Sequence, residues 1–168
     1  MTAWVALLRA VNVGGTGKIE MARLRDAWGG AGFGQVKTYI ASGNIVFAGP
    51  DDESEVRRKL EQAIASEFGA CPDILLRTGK EMAGVAARNP FPDAAGNRVL
   101  VLFCPQDASA EGMRHVADEM AEARGREVFI HYPSGMGGSK MVIPAAKVGT
   151  GRNMNTVAKL AAMAADIG

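Results

Sequence analysis

The sequence predicts an α+β protein built as two plait-like lobes, and three observations carry that prediction. Residues 1 to 78 read as strand, helix, strand, strand, helix, strand; the first strand is apolar on both faces; and the second half holds enough further strands and helices for a lobe of its own.

Ala3 to Val11 puts Trp4, Ala6 and Leu8 on one face and Val5, Leu7 and Val11 on the other, the pattern of a central strand covered on both sides. Met21, Leu24, Trp28 and Ala31 then recur at helical spacing and stop at Gly32, a helix terminator. Val36 to Ala41 and Ile45 to Ala48 are strands separated by the hairpin-type turn Ser42-Gly43-Asn44. Asp52 and Glu55 form a capping-box pattern ahead of the stripe Val56, Leu60, Ala63, Ile64 and Phe68, which ends at Gly69. Ile74 to Arg77 completes the order of the ferredoxin-like split motif, within a first lobe of residues 1–89.

Thr78 and Glu81 make a second capping box, opening a short helix through Met82, Val85 and Ala86 that ends near Asn89-Pro90. Pro90 to Asn97 reads as the loop into a second lobe, residues 90–168, which is expected to cover the open face of the first sheet. Val99 to Phe103 is an apolar strand. Met113, Val116, Ala117 and Met120 predict a helix capped by Ser109 and stopped at Gly125. Val128 to Tyr132 and Lys140 to Ile143 predict two strands around the flexible segment Pro133 to Gly138, and a last helix runs from about Asn153 to Ala164.

At 168 residues and 48% hydrophobic content the chain can bury a real core. Its net charge of +1 supplies no broad field for an extended nucleic acid, so any anion site must be local. Cys71 and Cys104 have no CxxC partner and no companion His, which predicts reduced thiols, no metal and no cofactor. The N-terminus lacks a basic start and Arg9 interrupts its short apolar run, so neither a signal peptide nor a membrane span is expected, and the expected location is the cytoplasm.

The stretch Arg9-Ala-Val-Asn-Val-Gly-Gly-Thr-Gly-Lys18 joins the first strand to the first helix through Gly14, Gly15 and Gly17. Such a turn can aim backbone N–H groups at an anion beside a helix entrance. It is not a nucleoside-triphosphate loop, because Asn12 stands where the first glycine belongs and Ile19 where the magnesium-binding hydroxyl belongs.

Motifs follow one another in order along the chain: Leu7-Leu8-Arg9-Ala10-Val11-Asn12-Val13-Gly14-Gly15, Lys18-Ile19-Glu20-Met21, Thr38-Tyr39-Ile40-Ala41-Ser42-Gly43-Asn44, Asn89-Pro90-Phe91, His131-Tyr132-Pro133, Gly138-Ser139-Lys140 and Gly151-Arg152-Asn153-Met154-Asn155-Thr156-Val157. With them the chain resembles the bacterial domain of unknown function 1697 family. The resemblance implies two alpha-beta plait lobes and no established activity, substrate or cofactor.

The residues themselves favour a small phosphate- or carboxylate-bearing ligand held between the lobes by Arg9, Asn12, Gly14, Gly15, Lys18, Lys140, Arg152, Asn153 and Asn155. Arg152, Asn155, Thr156 and Lys159 fall on one face of the last helix at helical spacing, with Asn153 as its cap. Each feature also has a structural explanation: Arg9 can reach solvent at the strand end, and Lys18 can be a surface lysine. His131 reads first as a sheet histidine and second as a general base, and His115 as a surface residue. Three other readings stand beside the anion site: a noncatalytic interaction module, an acyl-phosphate hydrolase-like enzyme using Arg9 and Asn44, and an RNA-binding plait, whose aromatic base platform is missing.

Overall fold

The computed structural model describes residues 1–9, 21–40, 43–69 and 71–167. The chain forms two compact units, Met1–Met82 with Leu160–Gly168, and Ala83–Lys159.

In the first unit β1 (Thr2–Leu8), α1 (Met21–Gly30), β2 (Gly34–Tyr39), β3 (Asn44–Gly49), α2 (Glu53–Phe68) and β4 (Ile74–Thr78) follow the expected order. The sheet order is β2-β3-β1-β4, antiparallel throughout. Local chemistry sets the helix ends. Asp52 accepts the Ser54 N–H, and Gly69 closes α2 in the left-handed conformation at φ 82°. Thr78 and Glu81 satisfy each other's backbone N–H groups, at 3.1 and 2.8 Å, and start α3 (Gly79–Ala87). Trp4, Ala6 and Leu8 on one face of β1 pack with Leu24 and Trp28 of α1 and Val56, Leu60 and Ile64 of α2. Val5 and Leu7, pointing the other way, are also fully buried.

The second unit contains β5 (Val99–Phe103), β6 (Met120–Arg124), β7 (Glu127–His131), β8 (Thr150–Asn153) and the start of α4 (Met154–Ile167). Its sheet order, β6-β7-β5-β8, repeats that of the first sheet with its strands taken in chain order. Three expectations are corrected here. The helix expected from Ser109 to Gly125 does not form: Gly112 at φ 82° and His115 at φ 58° break the backbone, and β6 begins at Met120. Gly125 is no helix stop. With φ 61° it is the first central residue of a two-residue hairpin turn, for Arg124 pairs with Glu127. The strand expected from Lys140 to Ile143 is reduced to one bridge, between Val142 and Arg114, just before Pro144 removes a donor. The strand that does pair with β5 on that side is β8, a segment between Gly149 and the start of α4.

One face of the second sheet carries Leu102, Val128 and Ile130. Its cover comes from Ala108, Ala110, Met113, Met141, Ile143 and Ala145, in the irregular segments 104–119 and 133–148.

Candidate functional site

Strand register brings one end of the second sheet into focus. Val99 pairs with His131, His131 with Met120, and Leu100 with Asn153, so the ends of β7 and β8 lie beside the starts of β5 and β6. Four strands at the usual spacing make an edge about 14 Å wide. His131 Nδ1 is buried there and has no hydrogen-bond partner among the described residues. Its ring lies 5.3 Å from that of Phe91, tilted by 33°. Phe91 is held in place by its own N–H, which donates to Asn89 Oδ1 at 2.9 Å, and Tyr132 N–H donates to Arg98 O at 2.8 Å.

Arg152 lies on β8 opposite Val101, and the register carries that row on to Phe129. Pleat alternation therefore puts Arg152 and His131 on the same face of the sheet. The guanidinium is buried and donates to Thr150 Oγ1 at 2.7 Å and Gly151 O at 2.9 Å. Burial pulls its pKa down to about 10, so it stays charged at neutral pH. Asn153 Oδ1 accepts the Thr156 N–H at 2.9 Å and caps α4. The Asn155 amide fills the space beside Gly96, its Oδ1 only 2.0 Å from where a β-carbon on that glycine would sit. Gly96→Ala should therefore swing the Asn155 amide away while changing stability by no more than about 0.5 kcal/mol, since the displaced group is a side-chain tip. Unmoved Asn155 side-chain NH2 resonances in the variant's NMR spectrum would count against this packing.

Lys140 is exposed at the end of the loop that leaves β7. The neighbouring Ser139 donates to Glu119 Oε2 at 2.7 Å, and the Ala117 N–H donates to Glu119 Oε1 at 2.7 Å. The Ala117 N–H first and Ser139 second hold the Glu119 carboxyl below its ordinary pKa. This pair is a fastening and not a nucleophile with its base. Ser139 Oγ already accepts the Met141 N–H at 3.2 Å, and a carboxylate with lowered pKa is a weak proton acceptor.

The structure thus places Lys140, Arg152, Asn153 and Asn155 in the second unit and Arg9 in the first. Arg9 follows β1, where its N–H donates to Asp73 O at 2.9 Å and its guanidinium lies 4.0 Å from the Asp73 carboxylate. Asn12, Gly14, Gly15 and Lys18 lie outside the described residues. The expectation that Arg152 shares a helix face with Asn155, Thr156 and Lys159 is corrected: it is a strand residue, because β8 continues to Asn153 and the helix starts at Met154. Asn44, which the hydrolase reading needs for placing water, is fully buried and donates to Tyr39 O at 3.0 Å. Phe91 and Glu119 were not singled out by sequence reasoning. The available signal for Phe91 was the pair of motifs Asn89-Pro90-Phe91 and His131-Tyr132-Pro133, whose two aromatic rings meet. Among the described residues no group of three His, Cys, Asp or Glu side chains could hold a metal ion. None of their helices is long and apolar enough to cross a membrane.

Among the described residues, two four-stranded antiparallel sheets and four α-helices define a mixed α/β protein in two units. The family pattern described as "Protein of unknown function (DUF1697)" matches residues 1–130, and the chain belongs to that family. Among solved structures it is similar to the conserved bacterial protein SP0830 from Streptococcus pneumoniae, with 26% sequence identity and a TM-score of 0.81, over 97% of this chain and 98% of that one. The comparison with curated proteins gives no match.

Proposed function

We propose that the protein binds a small anionic ligand, bearing phosphate or carboxylate, at the end of the second sheet where α4 begins. The observation that carries this reading is His131 Nδ1, a buried polar atom with no hydrogen-bond partner among the described residues. Such an atom costs stability unless something supplies its partner, and an imidazole N–H there would donate to an anion. The positive end of α4, the charged Arg152 on the same sheet face as His131 and the exposed Lys140 add to the local preference for negative charge.

A fold reading goes with this proposal. The order β2-β3-β1-β4, with α1 following β1 and α2 following β3, supports a ferredoxin-like plait for the first unit. The repeated order β6-β7-β5-β8 supports a second plait in which irregular segments stand in place of those two helices. Two cysteines far apart in sequence favour a reducing compartment, and a cytoplasmic location goes with the same reading.

Thermal shift with inorganic phosphate and with small carboxylates tests the site. An anion at about 100 times its Kd should add roughly 2.7 kcal/mol of apparent stability. His131→Gln and Lys140→Ala should each reduce that gain while changing the unliganded protein by no more than about 1 kcal/mol. Absence of any anion-dependent shift, or a shift that survives both substitutions, overturns the proposal.

A further inference from the structure

The cover of the second sheet differs in kind from that of the first. Over β1, the buried Leu24, Trp28, Val56, Leu60 and Ile64 come from two long helices. Over Leu102, Val128 and Ile130 lie three alanines, two methionines and Ile143, and of these only Ile143 is itself buried. So thin an apolar contact gives a segment low local stability. The Cys104 and Ala108 N–H groups donate to Arg126 O at 2.9 Å and Gly125 O at 2.8 Å, and Arg98 donates to Pro133 O, which anchors the segment ends; other polar fastenings run between the two segments. Arg114 and Val142 exchange two backbone hydrogen bonds of 2.9 Å, Ser134 donates to Asp118 at 2.5 Å, and Ser139 donates to Glu119 at 2.7 Å. Segments tied to each other at three places should move together between those anchored ends. Glycines at 135, 137 and 138, with no neighbouring atom within 4 Å of a β-carbon at any of them, leave the second segment free of side-chain packing there.

At the far end of the same cover is a cavity of about 580 Å³, lined by Cys104, Ala108, Pro144, Ala145 and Val148 among others. The Cys104 thiol is buried at 3% exposure even though it lines this cavity. We propose that residues 104–119 and 133–148 are one latched flap, which opens as a unit without global unfolding and bares Cys104 together with the apolar face of Leu102, Val128 and Ile130.

Thiol labelling of the native protein with dithiobis(nitrobenzoate) measures that opening without any ligand. Cys71→Ser removes the second thiol, whose pKa burial raises to about 11. Cys104 should then label at a rate nearly independent of urea well below the unfolding transition. Ser134→Ala with Ser139→Ala should speed it about tenfold and lower the folded-to-unfolded ratio by at most the same factor, since bonds lost on opening are lost on unfolding too, while the labelling stays nearly independent of urea. Hydrogen exchange in the unmodified protein supplies a second readout, with the Arg114 and Val142 amides exchanging together and faster than those of β7. The flap is refuted if Cys104 labelling follows the urea dependence of global unfolding, or if cutting both latches leaves the rate unchanged.

Discussion

Phe47→Ala should remove about 3–5 kcal/mol of stability, the usual cost of truncating a fully packed aromatic residue. Phe47 is wholly buried on β3, opposite Trp4 of β1. Trp28 meets it edge-on at 5.4 Å and 67°, and Phe33 at 5.0 Å and 64°. Truncation therefore breaks two aromatic pairs, each worth about 0.5–1.5 kcal/mol beyond area, and opens a void between a helix and the sheet. Because a domain is stable by only about 5–15 kcal/mol, the variant would lose a large share of the total. Phe47→Leu, which keeps most of the volume but loses both ring pairs, should cost about 1–3 kcal/mol, less than the alanine variant. Urea midpoints of the two variants check the argument. A Phe47→Ala cost no greater than that of Phe47→Leu would mean the aromatic triad is not packed as described.

The first unit was legible because its signals are local. Asp52 and Gly69 bound α2 to the residue, and Thr78 with Glu81 start α3, since caps are made by side chains a few positions away. In the second unit the aliphatic strands β5 and β7 were equally plain, whereas β6 was not. Met-Ala-Glu-Ala-Arg is written in good helix formers, yet it is a strand, held by a two-residue turn against β7. Tertiary pairing overrides propensity there. β8 was not assigned as a strand: Gly151 lies within it and Gly149 just before it, and glycine is depleted in strands. The Asn153 cap in the candidate site was visible for the same local reason as the others. The bare Nδ1 of His131 was not, because whether a polar atom finds a partner depends on residues remote in the chain such as Phe91.

Gly149→Val should be strongly damaging, costing about 3 kcal/mol, the upper part of the usual range for overpacking. A β-carbon at position 149 would lie 3.0 Å from Phe103 O, 3.1 Å from Cys104 Sγ and 3.2 Å from Ala145 O. Two of those atoms are backbone carbonyls and cannot rotate away. Ala145 O also accepts the Gly149 N–H at 3.1 Å, so relief by backbone movement would strain that bond. A branched side chain adds two further carbons to the same space. Gly137 provides the contrast, for nothing lies within 4 Å of its would-be β-carbon and no positive φ demands glycine there. Gly137→Ala should be neutral or stabilise by up to about 1 kcal/mol, through the entropy it removes from the unfolded chain. Urea midpoints for Gly149→Val and Gly137→Ala, measured side by side, separate a glycine required by close approach from one present in an open loop. Equal midpoints would show that the carbonyls of Phe103 and Ala145 do not close around position 149.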